Sequence, residues 1–334
     1  WNRTYFLSVS GRYEGSSRFG ADNKWGFFPG VSGGVELANF LNSSAINNLK
    51  FRASYGETGN NVGQSYLSLE RFGPGTNYYQ VNGQWVPIYG PVSNPNPNLG
   101  WEVKKEFNVG FDYSFLNDKF YGAIEYYSRT TENLIQNIAV PVPPNLFDRT
   151  WTNVGSLKND GFELLLNWKA VSKPNFTYVP TITYTHYISN QIVSLSDPES
   201  GFEYGIRDIS NMGSPGQNNT PTIRVEEGQP IGQIWGLIYE GIAENGDWIF
   251  RDVDGDGQIS NLDRAVIGNG LPNAELGLGN MFTFGRWDAN VFFRGVFGHN
   301  LVNSNRAFYE VPNAIGSYNV QQYSKGFCKP KTRP

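Results

Sequence analysis

The chain has 334 residues, of which 15% are aromatic and only 17% are charged, and its formal net charge is −4. Lys and Arg are scattered rather than clustered, so we expect no nucleic-acid partner, and no run of about 18 apolar residues exists, which excludes a transmembrane helix. The single cysteine, Cys328, excludes an internal disulfide framework and a cysteine-rich metal site.

Alternation of apolar and polar residues predicts about nine long β-strands, each near the length of a tilted, bilayer-crossing strand. In chain order they are residues 5–13, 25–37, 49–57, 102–115, 119–129, 161–168, 176–187, 275–284 and 287–297. The mean hydropathy of −0.43 does not argue against a membrane, because only alternate residues of a barrel strand face lipid.

The connections between these strands alternate between short and long. The short ones are residues 40–48, 116–118, 170–175 and 285–286, and the long ones are 58–101, 130–160 and 188–274, with 14–24 as a shorter member of the long class. Outer-membrane barrels have short periplasmic turns and long extracellular loops, so the long connections are predicted to be extracellular.

The two faces of each predicted strand differ in chemistry. Every odd-numbered residue from Phe107 to Phe115 is aromatic or aliphatic, whereas charged residues occupy the other parity. The charged candidates for the water-filled lumen are Lys50, Arg52, Asp112, Glu125, Glu163 and Arg294. A lysine or arginine facing lipid at mid-bilayer would cost about 2–4 kcal/mol, so this separation indicates a transmembrane antiparallel β-barrel. A soluble sandwich or propeller also alternates and remains an alternative at this point.

Several segments resemble one known family when taken together. They are SSRFGADNKWGFFPGVSGG at 16–34, NPNLGWE at 96–102, NVGSLKNDGFEL at 153–164, EGQPIGQIWGLIYEGI at 227–242 and IGNGLPNAELGLGN at 267–280. In this order and spacing they resemble the later part of the barrel of the SusC/RagA family of TonB-dependent outer-membrane transporters, across nearly the whole chain.

The resemblance implies an all-β fold that is part of a larger, twenty-two-stranded barrel. Residues 1–303 would form this partial barrel, and 304–334 a truncated loop followed by an atypical tail. The family's N-terminal plug and TonB box are not recognisable here, so the chain is expected to be a fragment. With two unpaired strand edges, it is not expected to insert into a membrane alone.

The implied location is the outer membrane of a Gram-negative, Bacteroidota-like cell, in contact with its lipid. The implied function is import of a nutrient, either glycan (oligosaccharide) or peptide fragments. A SusD-type lipoprotein would cover the loops, and TonB would act through the missing N-terminal part. Two alternatives stay open, namely a secreted calcium-stabilised β-rich binding module and a passive porin.

Residues 252–263 fit the twelve-residue calcium-loop pattern at each ligand position, with Gly257 at the sharp turn. The candidate ligands are Asp252, Asp254, Asp256, Gln258, Ser260 and Asp263. We predict a structural Ca²⁺ ion that rigidifies the long loop 188–274. The loop closes with Asp rather than Glu, and a solvated Asp/Gly turn is the alternative.

Aromatic residues in the long loops are candidates for contact with a substrate, either a sugar ring or a peptide side chain, or for packing between loops. They are Tyr78, Tyr79, Trp85, Tyr89, Trp235, Tyr239 and Trp248. His186 and His299 are the only histidines, and no nucleophile, zinc-helix or phosphate-loop motif occurs. The sequence therefore predicts no enzyme.

Overall fold

All nine predicted strands are present in the structure, a computed structural model that describes residues 3–61, 63–197, 202–203, 206–214, 219–245 and 247–310. In these residues the strands are β1 (Tyr5–Gly15), β2 (Trp25–Glu36), β3 (Ile46–Asn60), β4 (Phe72–Val81), β5 (Gln84–Pro91), β6 (Glu102–Phe115), β7 (Phe120–Glu132), β8 (Ile135–Ala139), β9 (Arg149–Asn153), β10 (Ser156–Trp168), β11 (Val171–Lys173), β12 (Phe176–Ser194), β13 (Ser196–Asp197), β14 (Phe202–Glu203), β15 (Ile206–Asn211), β16 (Pro221–Glu226), β17 (Gln233–Leu237), β18 (Tyr239–Ile242), β19 (Trp248–Phe250), β20 (Arg264–Asn269), β21 (Ala274–Phe284) and β22 (Trp287–Phe297).

Helical structure in the described residues consists of two 3-10 turns, Leu37–Phe40 and Asn261–Asp263, and one short α-helix, α1 (Ser304–Tyr309). None of these described helices has the length and apolar character needed to cross a membrane. The segment 304–334, predicted to be a truncated loop and an atypical tail, begins with α1. Its residues beyond 310 lie outside the described residues.

Nine long strands lie side by side in one antiparallel sheet, called the wall below. The strand order is β1-β2-β3-β6-β7-β10-β12-β21-β22, and the short β11 pairs with β12. Each wall strand thus pairs with the next wall strand of the chain, which is the topology of an up-and-down barrel. In the described residues β1 and β22 are the two outer strands of this order.

The pairing register carries the predicted period of two across the wall. On one face Phe111 lies opposite Phe51, with ring centroids 5.2 Å apart. On the other face Gly110 lies between Arg52 of β3 and Glu125 of β7. The wall therefore has an apolar face and a polar face, as expected for lipid on one side and water on the other.

Aromatic pairs mark both ends of the apolar face. Near the long loops Tyr13 stacks on Trp25 with centroids 5.0 Å apart, and near the short turns Phe120 stacks on Trp168 at 5.9 Å. Tyr5 and Tyr13 are eight residues apart on β1, which is roughly 26 Å along a strand. That length fits the band between the two aromatic girdles of an outer-membrane barrel.

Several strands extend further than the alternation predicted, most of all β3, β10 and β12. Strand β3 covers Ile46–Asn60, β10 begins at Ser156, and β12 continues to Ser194. Backbone pairing continues where both faces have become polar, for example at the Lys158–Asp160 ion pair of β10. The apolar period ends where lipid contact ends, so it underestimates strand length.

The long connections contain secondary structure that the sequence analysis did not predict. They hold the hairpins β4–β5 and β8–β9, a four-stranded sheet in the order β15-β16-β17-β20, and the pair β18–β19. A recognisable signal existed for the first hairpin, because Asn82-Gly83 with φ of 49° and 80° forms the two-residue turn that favours hairpins.

A small hydrophobic core lies among the connections next to β2 and β6. It is formed by the buried side chains of Phe19, Phe28, Leu67, Leu99 and Trp101. Close backbone approach accompanies this packing, because a Cβ atom on Gly20 would lie only 1.6 Å from the Pro97 carbonyl oxygen. These connections are therefore folded rather than extended coil.

Asparagine side chains fasten the same connections to each other. Asn94 Nδ2 donates to the Phe147 and Arg149 carbonyl oxygens at 2.7 and 2.9 Å. Asn153 Oδ1 accepts from the Gly100 N–H at 2.7 Å, and its Nδ2 donates to the Gly100 carbonyl at 3.0 Å. The motifs at 96–102 and 153–164, distant in sequence, thus meet through these amides.

The described residues divide into two compact units. One contains the wall with β4–β5, β8–β9 and the core just described, and spans 3–203 and 274–295 apart from the gaps. The other contains the four-stranded sheet, β18–β19 and residues 252–263, and spans 206–273 and 296–310 apart from the gaps.

Candidate functional site

An ion-pair network occupies the middle of the polar face. Arg52 Nε lies 3.1 Å from Asp112 Oδ1, and Arg52 Nη2 pairs with Glu125. Asn108 Nδ2 donates to the other oxygen of Glu125 at 3.0 Å. The network joins β3, β6 and β7, and its single guanidinium is shared between two carboxylates.

Three further lumen candidates occupy the same polar face. Glu163 lies opposite Glu125 in the β10–β7 register, so two carboxylates are neighbours. Lys50 Nζ lies 4.3 Å from the centroid of the Phe6 ring, although Asp112 is its register partner. Arg294 pairs with Glu275 at 2.5 Å.

Glu106 and Glu275 are among the further charged groups on this face that were not predicted as lumen candidates. Glu106 accepts from Lys104 and Arg129, at 3.1 and 3.0 Å. Glu275 accepts a hydrogen bond from the Tyr187 hydroxyl at 3.0 Å and also pairs with Arg294. Parity alone could have found Glu106, which shares the even positions of β6 with Asp112.

Charged groups on the apolar parity occur close to the long loops. Lys105 Nζ lies 2.6 Å from Glu132 Oε2, and the Tyr55 hydroxyl donates to Glu57 Oε1 at 2.6 Å. Lys105 and Glu132 form an ion pair, and Tyr55 and Glu57 form a hydrogen bond. Such polar pairs are compatible with a position at a membrane–water interface.

The calcium-like loop brings three of its six candidate ligands together. Carboxylate oxygens of Asp252, Asp254 and Asp256 lie within 4.8 Å of one another, and all three side chains are exposed. The Asp256 N–H bond lowers the pKa of Asp254, but partial desolvation and the charges of Asp256, Asp263 and Asp252 outweigh it, so that pKa is raised. A divalent cation would relieve this repulsion.

The closing residue has a different role. Asp263 is fully buried, and its two oxygens accept from the N–H groups of Val253 at 2.8 Å and Ser260 at 2.6 Å. These bonds, Ser260 first, hold the pKa of Asp263 below its ordinary value. Asp263 is not part of the close carboxylate group. Gln258 and Ser260 are exposed in the same loop.

The seven candidate aromatic residues belong to two different compact units of the structure. Tyr78, Tyr79, Trp85 and Tyr89 lie on β4–β5 of the first unit, whereas Trp235, Tyr239 and Trp248 lie in the second.

The aromatic residues of the second unit have contacts within it. The Arg224 guanidinium carbon lies 3.5 Å from the centroid of the Trp235 ring. The same guanidinium donates two hydrogen bonds of 2.9 Å to the Asp208 carboxylate. Tyr239 and Trp248 each pack edge-on against Phe250, at 6.3 and 6.2 Å. Packing within the unit partly buries Trp235, whereas Tyr239 and Trp248 remain exposed.

Comparison with known proteins identifies related sequences. Residues 1–326 match the family described as "TonB dependent receptor-like, beta-barrel". TonB-dependent receptor P39 of Formosa agariphila is 31% identical over 336 residues, which cover 90% of this chain and 31% of that protein. TonB-dependent receptor SusC of Bacteroides thetaiotaomicron is 30% identical over 303 residues, which cover 87% of this chain and 29% of that protein.

Solved structures show the same fold. The RagAB peptide importer in the closed-closed state superposes with a TM-score of 0.75 at 21% identity, covering 92% of this chain and 33% of that chain. Its open-open state also gives a TM-score of 0.75, at 22% identity, covering 90% of this chain and 31% of that chain. The chain thus spans about a third of the length of the relatives it matches.

Proposed function

The chain belongs to the TonB-dependent receptor-like β-barrel family of outer-membrane proteins, and we propose that it forms wall strands and surface loops of a transporter that imports a nutrient. Energy would come from TonB through a part of the protein outside this chain. Members of this family are receptors and transporters, in agreement with the prediction that the chain is not an enzyme.

The observation that supports transport most directly is the polar face of the wall. Its charged groups, centred on Arg52, lie on the parity opposite the aromatic girdles. In a closed barrel this face would line the lumen, where it could contact a plug or a passing polar substrate. The apolar face would contact lipid.

We propose that the nutrient is a glycan or peptide fragment and that a SusD-type lipoprotein covers the extracellular loops. The sequence similarity to the TonB-dependent receptor SusC supports a transporter of this kind, and the fold is shared with a structure described as a peptide importer. The folded long connections, with exposed rings on β4–β5, support contact with a substrate or a covering protein.

We propose that residues 252–263 bind Ca²⁺ as a structural ion. The support is the oxygen-rich ligand pattern and the close approach of Asp252, Asp254 and Asp256. Because Asp263 already holds two backbone N–H groups, its contribution would be to keep the loop closed around the ion.

Growth of a deletion strain tests the proposed transport. The complete gene is removed, and growth is measured on media that each supply one glycan or one peptide mixture as the limiting nutrient. We expect growth on at least one of them to be lost and to return with the complete gene. Growth on free glucose is the control and should not change.

The same strains separate active from passive uptake. Rescue by the complete gene should fail in cells that lack TonB, and rescue there would instead indicate a porin. Unchanged growth of the deletion strain on every medium would contradict nutrient import. A complete protein that stays monomeric in buffer without detergent would contradict the membrane location.

A further inference from the structure

The hairpin β4–β5 places four aromatic rings on one of its faces. Along β5, Trp85 and Tyr89 are four residues apart and therefore share a face. The register places Tyr78 of β4 opposite Pro87, which lies between them on that face, and Phe72 opposite Pro91 at its end. We call the set Phe72, Tyr78, Trp85 and Tyr89 the platform.

The platform rings are exposed and do not cover one another. Their relative exposures are 63%, 57%, 69% and 65% in chain order. In the wall, by contrast, cross-strand rings stack, as Tyr178 and Phe282 do at 4.6 Å. Within the described residues no platform ring packs against another ring, so their faces are available to a ligand.

The polar groups of the hairpin are available as well. Within the described part of the chain, the hydroxyl groups of Tyr78 and Tyr89 and the indole N–H of Trp85 have no hydrogen-bond partner. The hairpin also carries four amide side chains, which can both donate and accept: Asn77, Gln80, Asn82 and Gln84. Gln80 lies opposite Trp85 on the platform face, whereas Gln84 shares the other face with Tyr79.

The hairpin has no charge of its own. Residues 72–91 contain no Asp, Glu, Lys, Arg or His. It therefore lacks a group that could pair with the termini or charged side chains of a peptide, or with an anionic sugar. A ligand that matches this inventory is uncharged, has apolar faces for the rings and has many hydroxyl groups for the amides.

We propose that the platform binds a neutral oligosaccharide, whose sugar rings stack on Trp85, Tyr89 and Tyr78. This narrows the nutrient class and rests on the proposed transport function. From Trp85 to Pro91 the face extends roughly 20 Å, which suits a chain of several sugars rather than one. Alternating ring positions on β4 and β5 provide successive stacking places, since diagonal neighbours across two strands lie about 7–8 Å apart.

Binding by the complete transporter tests the proposal. The purified protein is titrated against fluorescently labelled neutral hexasaccharides of glucose, mannose, galactose, xylose and fructose, and anisotropy is recorded. We expect at least one to bind, and we expect Trp85→Ala and Tyr89→Ala each to weaken it about five- to tenfold, as expected for loss of one stacking ring.

Tyr79→Ala is the matched control. Tyr79 lies opposite Val86 on the other face of the same hairpin and is similarly exposed. It should leave affinity within about twofold. An equal loss in Tyr79→Ala would mean that the hairpin as a whole, rather than the platform, is needed, and it would overturn the proposal.

Further outcomes would also overturn it. These are no binding to any of the five sugars, equal affinity in wild type and Trp85→Ala, or release of a co-purified lipoprotein by Trp85→Ala with sugar affinity unchanged. TonB-dependent growth on a peptide mixture alone would reject the platform's ligand while leaving the transport function intact, so the two failures are distinguishable.

Discussion

At the scale of single residues, the length and shape of a side chain, rather than the strand register alone, determine its ion-pair partner. Lys50 is the register partner of Asp112, but Arg52 takes Asp112 and Glu125 while Lys50 lies over Phe6. The planar guanidinium offers several donors in a fixed fork and can bind two carboxylates at once. Parity in the sequence predicted the face of these residues but could not predict this diagonal pairing.

Replacing Arg52 with Ala should remove the ion-pair partner of Asp112 and Glu125, with Glu125 keeping only its bond from Asn108, and destabilise the complete protein by about 1–2 kcal/mol. Urea unfolding in lipid vesicles, followed by tryptophan fluorescence, measures the change. Arg12→Ala is the control, because Arg12 pairs with Glu14 while its side chain is 72% exposed, and it should change stability by at most about 0.5 kcal/mol. Equal effects of the two variants would contradict the role assigned to Arg52.

Calcium should bind residues 252–263 and should bind less well in acid. The raised pKa of Asp254 means that this carboxyl takes up its proton, and ceases to be a good ligand, at a higher pH than an ordinary Asp. Affinity should therefore fall as the pH drops through that raised pKa. Without the ion, the same shift favours the folded loop below that pKa, and this stabilisation is lost as the pH rises through it.

Isothermal titration of the complete protein with CaCl₂ measures this affinity. Asp254→Asn and Asp256→Asn should each weaken it at least about tenfold. Asp247→Asn is the control, because Asp247 is an exposed acid outside the twelve residues. Identical heats in all four proteins would show that the loop is a solvated turn.

At the scale of elements, the hairpin β6–β7 and the position of its turn were predicted almost residue for residue, but the contact that holds the turn was not. Leu116, Asn117 and Asp118 all have positive φ, between 55° and 57°. Asn47, from the neighbouring turn, accepts their exposed N–H groups at 2.8 Å for Asn117 and 3.3 Å for Asp118. Asn and Asp favour turns in general, but a partner 70 residues away in the chain is not visible in the local sequence.

Gly59→Ala should disturb the packing of the small hydrophobic core that contains Phe28, whereas Gly56→Ala should not. A Cβ atom at Gly59 would lie 2.0 Å from the Phe28 ring, while one at Gly56 would meet nothing within 4 Å. Both glycines lie in β3. Overpacking at Gly59 should cost about 1–3 kcal/mol. Thermal unfolding of the complete protein and limited proteolysis of the long connections measure the difference, and equal behaviour of both variants would contradict it.

At the scale of the whole molecule, the wall was predictable and the folded connections were not. Lipid and water impose a period of two on every wall strand, so alternation was sufficient to place all nine. The connections are instead held by specific contacts, such as Asn94 with the backbone near Arg149 and Asn153 with Gly100. Such contacts have no period. The turn Asn82-Gly83 was the local signal that could have been used.

Expressed alone, the chain should not form a stable membrane-inserted barrel. Strands β1 and β22 end the strand order, and unpaired backbone groups in hydrocarbon are costly. Refolding into detergent or vesicles should give aggregates that are digested by protease and show no heat-dependent shift in electrophoretic mobility. A protease-resistant monomer with such a shift would contradict this expectation.

The strand order of the wall also has a kinetic consequence. Since each wall strand pairs with its successor, assembly requires mostly local contacts, and low contact order favours rapid folding. The pairing of β12 with β21 closes a longer connection, residues 195–273, than the pairings of β3 with β6 and of β7 with β10 do. Loop closure costs only about 0.6 kcal/mol more for each doubling of length, so this step slows assembly without preventing it. Most of the second compact unit lies within this connection, in residues 206–273 apart from the gaps. Early folding of this part would shorten the effective loop, so it would favour the later pairing of β12 with β21.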